Sequence, residues 1–219
     1  MIRSFDIETI PNSSMVKYLP EPEAPGKIKD PQKIAAAIAE KKKKSIDEMA
    51  LSPLWGRVCS FVMYNEDGEV SDVLKSESAI AEKDLIEKIL FNLVVGGQKV
   101  NTFVTWNGVN FDFPFVYKRA AILRAEIPCG CPALAYWIKR YQHTVHIDMM
   151  QEFSGWNSYK ADSLDNAGIA FYLKGKSERD YSEFAGLIRT GKVNDILEAN
   201  RNDAILTYNI YNDSKDYLF

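Results

Sequence analysis

Two carboxylates lie one residue apart near the start of the chain, in the stretch SFDIETI at residues 4–10. The residues around Asp6 and Glu8 are apolar or small, a composition that predicts a buried strand. Because side chains two apart on a strand point to the same face, both carboxylates are expected to lie close together. A divalent cation between them would offset their repulsion and their loss of hydration, and oxygen ligands suit magnesium or manganese. An edge strand whose acids face water is the simpler alternative, and the pattern alone would favour it.

A third acid follows another predicted strand, in the stretch TWNGVNFD at residues 105–112. Asn107 and Gly108 are typical of a turn, and Asp112 then falls in the first turn of the next helix. The helix N-terminus stabilises an acid there, which is a sufficient structural reason for Asp112. The same place is the carboxyl end of a strand, where open α/β sheets bind their ligands.

A fourth acid, Asp203, lies in the stretch ILEANRNDAILT at residues 196–207. On a helix it shares one stripe with four other residues: Ile196, Ala199, Leu206 and Ile210. An acid in an inward-facing apolar row must be paired or bound to metal, unless the helix is rotated so that Asp203 reaches water.

Three stretches, FDIETIP, NGVNFDFPFVYKRA and DAILTY, in this order and spacing resemble the DEDD superfamily of 3′–5′ exonucleases. The resemblance is strongest to the proofreading exonuclease domain of family-B DNA polymerases and to small stand-alone exonucleases of that type. It covers nearly the whole chain, since LSPLWGRV, HIDMM and SLDNAGIAFYLKGK also resemble segments of those proteins. It implies an α/β, RNase-H-like fold with a mixed five-stranded sheet flanked by helices, which agrees with the order of predicted elements.

The resemblance also implies the site residues. Asp6, Glu8, Asp112 and Asp203 would be the catalytic and metal-binding carboxylates of a site for two divalent cations, Mg²⁺ or Mn²⁺. Asp6 and Asp203 would contact the metals most directly, and Asp112 partly through water. Two such cations activate water and neutralise the leaving oxyanion in phosphodiester hydrolysis.

Four further residues would bind substrate. Thr9 and Ile10 would lie beside the 3′-terminal nucleotide, and Asn107 and Phe111 would seat the penultimate one, Phe111 by stacking. Packing and turn formation are their alternative roles. The implied partner is nucleic acid with a free 3′ end, single-stranded or frayed DNA, from which nucleoside 5′-monophosphates are released. An RNA substrate stays open, and a polymerase or repair partner would supply a biological role.

The chain departs from the family at one position. In the tyrosine branch of this superfamily a Tyr stands four residues before the last Asp, and here that residue is Ala199; the histidine branch would place His at position 198, which is Glu198. A tyrosine replaced by alanine, use of another group such as Glu198, Asn200 or Tyr208, and loss of cleavage with binding retained are three open explanations. We expect an exonuclease of reduced activity, with a nucleic-acid-binding module as the alternative.

Composition limits the other function classes. The 219 residues are 46% hydrophobic, enough for a core, and their net charge of −3 excludes binding of nucleic acid by bulk basicity. No run of about 18 apolar residues predicts a membrane span, and the N-terminus lacks a signal-peptide pattern. The odd number of cysteines, three, indicates a reducing, cytoplasmic setting, and a zinc site would need both histidines as well as two cysteines. The cysteines are Cys59, Cys129 and Cys131; the zinc site would combine Cys129 and Cys131 with His143 and His146, and ordinary loop cysteines are the favoured interpretation.

The elements that position these residues are predicted as three strands, a helix, a strand over 100–106, a helix, and then mostly helices. We expect one exonuclease domain over 1–219, with a helical, Lys-rich insertion at about 24–52. That helix begins at Asp30–Pro31, a cap followed by a first-turn proline. Its Lys41–Lys44 run spans a whole turn, which indicates a solvated protrusion; contact with a phosphate backbone is the alternative.

Overall fold

A five-stranded mixed sheet forms the centre of the computed structural model, which describes residues 1–24, 26, 29–94, 102–175 and 183–219. The strands are β1 (Ile2–Pro11), β2 (Gly56–Asn65), β3 (Gly68–Val73), β4 (Thr102–Thr105) and β5 (His146–Asp148). Their order is β3-β2-β1-β4-β5, antiparallel from β3 to β1 and parallel from β1 to β5. The predicted fold class is confirmed. Of the strand predicted over 100–106, positions 100 and 101 lie outside the described residues.

Eight α-helices are found in the described ranges: α1 (Pro31–Glu48), α2 (Ala79–Val94), α3 (Asp112–Leu123), α4 (Leu134–Trp137), α5 (Met149–Phe153), α6 (Leu164–Tyr172), α7 (Phe184–Thr190) and α8 (Asn194–Leu218). Two 3₁₀ helices, Ser13–Tyr18 and Met49–Leu51, precede and follow α1. Helix α2 follows β3 and helix α3 follows β4, which agrees with the predicted order of elements. The sequence does not predict α4, α5 or the first 3₁₀ helix, because such short elements hold too few residues to show a period.

The central strand β1 has helices on both faces. The Phe5 ring lies 5.3 Å from the ring of Phe113 in α3. Asp6, the next residue, points to the opposite face and accepts a hydrogen bond from Asn200 of α8. Helix α3 therefore covers one face of the sheet and α8 the other, and the carboxylate of Asp6 lies beneath α8.

The pairing of β1 with β2 is irregular directly after the two carboxylates. Glu8 pairs with Ser60 and Thr9 with Val58, so that Cys59 is the extra residue of a β-bulge. Bulges bend a strand and redirect its side chains, and they are common beside functional sites. The bulge thus interrupts the regular alternation of β2 opposite Glu8 and Thr9 of β1.

Helix α1 is the Lys-rich element predicted from the sequence. The Asp30 side chain accepts a hydrogen bond from the backbone N–H of Gln32 at 2.9 Å, and Pro31 is the first helical residue. None of the residues of α1 is buried, which agrees with a solvated protrusion. Lys42 pairs with Glu21 at 3.1 Å. Contact of this helix with a phosphate backbone stays a prediction.

Candidate metal centre

Three of the four acids singled out from the sequence come together in space. One carboxylate oxygen from each of Asp6, Glu8 and Asp203 lies within 4.8 Å of the other two. Glu8 and Asp203 are buried, with exposed fractions of 9% and 6%. Within the part of the chain that the structure describes, these residues are the one such group of His, Cys, Asp or Glu that could hold an ion. Like charges at this spacing repel one another when they are partly buried. A divalent cation bound by their oxygens would offset this repulsion.

Asp203 reaches the group because α8 packs its apolar stripe onto β1 and β2. Ile196, Ala199 and Ile210 are buried, as the helical stripe predicts. Asp203 is the acid in that row, one turn after Ala199 and on the same face. Packing of its apolar neighbours therefore holds the Asp203 carboxylate against the sheet.

The fourth acid, Asp112, lies beside this group, and its contact with a metal, partly through water, stays a prediction. Strand β4 pairs with β1 over Ile2–Ser4, so the edge of β1 beyond Ser4 faces the start of α3. There the backbone N–H of Ile7 donates to Oδ1 of Asp112 at 3.1 Å. Asp112 is 2% exposed. It thus binds the backbone between the two β1 acids, and its oxygens are not part of the group of three.

Asp148 fixes the loop that leads from β4 to Asp112. Its carboxylate accepts hydrogen bonds from the backbone N–H groups of Asn107 at 3.0 Å and Val109 at 2.9 Å. It also accepts from the backbone N–H of Gln151, so that Asp148 is the N-cap of α5. Asn107 has a φ of 70°, and its side-chain carbonyl accepts from Asn110 at 3.0 Å. The predicted turn is present, and the loop contacts of Asp148 are an addition that the sequence did not indicate.

Gly108 and His146 hold the end of β4 in the same region. A Cβ on Gly108 would lie 2.3 Å from Oγ1 of Thr105, so a side chain there would collide with the strand end. The carbonyl of Trp137 can only accept, so the Nδ1–H of His146 donates to it at 2.6 Å. Nε2 then accepts from the Thr105 hydroxyl at 2.7 Å. The imidazole is therefore neutral and joins β4, β5 and the end of α4.

We expect His146 to stay neutral in the folded protein well below pH 6, because burial lowers its pKa to about 4. In the unfolded chain its pKa is about 6.5, so folding excludes a proton there. The resulting stabilisation is fully present above pH 6.5 and is lost as pH falls towards 4, by about 3 kcal/mol. An NMR titration measures it, because the chain has two histidines and a His143→Gln variant assigns their signals.

Asp148 contributes with the opposite sign over nearly the same range. Burial raises the pKa of its carboxyl to about 6, so the stability linked to it is present at low pH and is lost as pH rises towards 6. The unfolding curve of the whole protein therefore shows only part of the histidine effect. The imidazole signal is the direct readout, and titration of His146 near pH 6.5 would contradict its neutral, doubly bonded state.

The residues predicted to bind substrate already make contacts within the protein. The Thr9 hydroxyl donates to the backbone oxygen of Ala50 at 2.7 Å. The Ile10 side chain is fully buried, so its contact with a nucleotide would have to come from its backbone. Phe111 is half-buried, with its ring 5.4 Å from that of Phe115. Substrate roles for these residues and for Asn107 stay predictions.

Three residues could act in place of the tyrosine that the family resemblance implies at position 199. Glu198 is exposed on α8, and the ring of Tyr208 packs 5.5 Å from that of Tyr64. Asn200 is fully buried and donates to Oδ2 of Asp6. Asn200 is thus in direct contact with one of the clustered carboxylates.

The zinc alternative finds no support in the described residues. His146 is engaged with Thr105 and Trp137, and the Sγ of Cys131 lies 3.3 Å from the Tyr117 hydroxyl. His143 pairs with Glu152 at 2.9 Å.

A cavity of about 540 Å³ borders Asp203 between the end of α6 and α8. The residues that line it include polar and apolar side chains and the positively charged Lys174: Tyr172, Lys174, Asn202, Leu206 and Asn209. A volume of this size is within the range of small-molecule sites. Asp203 therefore belongs to the carboxylate group and also lines a space large enough for a nucleotide.

The sequence pattern of one protein family, described as a predicted 3′–5′ exonuclease related to the exonuclease domain of PolB, matches residues 55–216. That range includes Asp112 and Asp203 but not β1. DNA polymerase 1 of Aeropyrum pernix is 25% identical over 173 residues, which cover 75% of this chain and 18% of the polymerase. The solved family B DNA polymerase of Pyrobaculum calidifontis shares its fold with 97% of this chain, with a TM-score of 0.59 and 13% identity.

The chain spans 18% of the first of these polymerases and 24% of the second. Among the described helices, none has the length and apolar character needed to cross a bilayer.

Proposed function

Because the chain belongs to the family of predicted 3′–5′ exonucleases related to the exonuclease domain of PolB, we propose that it is a metal-dependent 3′–5′ exonuclease. Its substrate would be single-stranded or frayed DNA with a free 3′ end, and its products nucleoside 5′-monophosphates. The observation that carries the proposal is the convergence of Asp6, Glu8 and Asp203 within 4.8 Å.

The donor set suits Mg²⁺ or Mn²⁺. Carboxylate oxygens are the ligands that hard divalent cations prefer, and three partly buried carboxylates supply them from two elements, β1 and α8. Asp6, Glu8 and Asp203 would hold two cations. Cations bound there supply the positive charge that stabilises an attacking water and a leaving oxyanion.

The remaining residues would position the carboxylates and the strand. Asp112 orders the backbone between Asp6 and Glu8 through the Ile7 N–H. The cavity beside Asp203, which Lys174 lines, offers room for a terminal nucleotide. An anionic protein can bind a polyanion at such a place because the cations reverse the local charge.

A nucleic-acid-binding module with little or no turnover is the second candidate, and Ala199 is the observation that favours it. Ala199 is buried in the main core and has no group that could orient water. Loss of one positioned acid–base or water-orienting group lowers a rate by about 10² to 10⁴. We therefore propose an active enzyme of reduced rate.

The proposal is tested with a 5′-labelled single strand of DNA incubated with the protein and Mn²⁺. The expected result is a ladder that shortens from the 3′ end, together with release of nucleoside 5′-monophosphates. Chelation with EDTA should stop the reaction, because the cations that activate the attacking water and neutralise the leaving oxyanion are removed.

Two parallel reactions sharpen this assay. A 5′-labelled RNA strand of the same sequence measures sugar preference. If both strands stay intact at high enzyme concentration while gel-shift binding persists, the chain is a binding module and the exonuclease proposal is overturned.

A further inference from the structure

Asn200 lies between the candidate metal centre and β2, and its amide is bonded at both ends. Its Nδ2 donates to Oδ2 of Asp6, and its Oδ1 accepts from the Ser60 hydroxyl at 3.0 Å. Asn200 and Ser60 are both fully buried. A buried amide is costly unless its groups are bonded, so this arrangement requires both partners.

The direction of these hydrogen bonds follows from chemistry. An ionised carboxylate only accepts, so the amide nitrogen of Asn200 must face Asp6. The amide oxygen then faces Ser60, whose hydroxyl must donate. Ser60 therefore donates to Asn200, and Asn200 donates to Asp6. Each hydrogen bond fixes the orientation of the group that accepts it.

Ser60 and Asn200 reach the metal centre from two different elements, β2 and α8. Ser60 pairs with Glu8 across the two strands, so the two side chains share one face of the sheet. Asn200 precedes Asp203 by three residues, a spacing that places both on the same side of α8. Strand β2 thus supplies Ser60 opposite the acids of β1, and helix α8 supplies both Asn200 and Asp203.

We propose that Asn200, oriented by Ser60, is the positioning residue that holds Asp6 in the geometry needed to bind a divalent cation. This inference rests on the proposed function. Through its bond to Oδ2, Asn200 fixes the orientation of the Asp6 carboxylate. Residues that orient a metal ligand in this way change metal affinity by about 10- to 100-fold when removed.

The proposal is tested by isothermal titration calorimetry with Mn²⁺ alone on the full chain. An Asn200→Leu variant keeps the number and branching of the side-chain heavy atoms and removes both hydrogen bonds, so we expect at least a tenfold weaker affinity for Mn²⁺. Asn92→Leu is the matched control, because Asn92 lies on α2 and donates to the Lys88 carbonyl. It should bind Mn²⁺ as the wild type does.

A second variant covers the case in which Asn200→Leu does not fold. Ser60→Ala removes one hydroxyl, keeps the Asn200–Asp6 bond and leaves the amide free to rotate, so we expect a several-fold loss of affinity. In a nuclease assay, the midpoint of Mn²⁺ activation should shift to higher concentration for both variants. A solely structural role would not move that midpoint.

The outcomes separate this inference from the function on which it rests. Wild-type protein that binds Mn²⁺, with folded variants that bind it within twofold of the wild type, overturns the role of Asn200 alone. Wild-type protein that binds no Mn²⁺ overturns the metal centre and this role together.

Discussion

An Asp203→Asn variant is expected to cleave single-stranded DNA at least about a thousandfold more slowly than the wild type, with its fold intact. Asparagine has the same shape as aspartate but no charge, so it weakens the cation site that the proposed reaction needs. Loss of roughly 4 kcal/mol of transition-state stabilisation corresponds to that factor. Single-turnover cleavage with Mn²⁺ measures the change.

Stability measurements distinguish a lost site from a lost fold. Without cations, neutralising one of three clustered carboxylates reduces their repulsion, so the variant should be at least as stable as the wild type in EDTA. Added Mn²⁺ should raise the melting temperature of the wild type and not that of the variant. Asp216→Asn, at an exposed position of the same helix, is the control. Cleavage by Asp203→Asn within tenfold of the wild type would contradict the assignment.

A Glu82→Ala variant is expected to lose about 3–5 kcal/mol of unfolding free energy, which is the typical cost of breaking a buried ion pair. Glu82 is fully buried on α2, and its two oxygens accept from Nε and Nη2 of Arg119, each at 2.7 Å. It also accepts from the backbone N–H of Val58. Arg119 is 3% exposed, and its Nη1 donates to the Pro53 carbonyl at 3.1 Å. The variant therefore leaves a buried guanidinium without its counter-ion.

Arg119 lies on α3, the helix that begins at Asp112, so this ion pair anchors the helix that carries the fourth acid. Urea unfolding measures the loss, with Glu87→Ala as the control, since Glu87 forms a partly exposed pair with Lys83 at 3.7 Å. That control should cost under about 1 kcal/mol. Replacing Glu82 and Arg119 together by apolar residues should recover much of the loss. A loss below 1 kcal/mol for Glu82→Ala would contradict the buried network.

Periodicity in the sequence predicts much of the fold. The two-residue spacing of Asp6 and Glu8 places both acids on one face of a strand, and the structure brings them together. The helical stripe through Asp203 likewise predicts the helix face that packs on the sheet. These successes share a cause, since strand and helix geometry fix the relation between residues that are near in sequence.

Contacts between residues far apart in sequence could not be predicted in the same way. Asn200 bonds to Asp6 across 194 positions, and Asp148 reaches the backbone of Asn107 across 41. No local pattern encodes such pairs, because they depend on how whole elements dock. For Asn200, the signal available in the sequence was one polar residue beside an apolar helix stripe.

The central claim is that Asp6, Glu8 and Asp203 together bind divalent cations. The most direct test is a crystal structure of the protein with MnCl₂, with anomalous diffraction recorded above and below the manganese absorption edge. We predict anomalous density for manganese coordinated by oxygens of these three carboxylates. Manganese-saturated crystals without such density among the three carboxylates would contradict the claim.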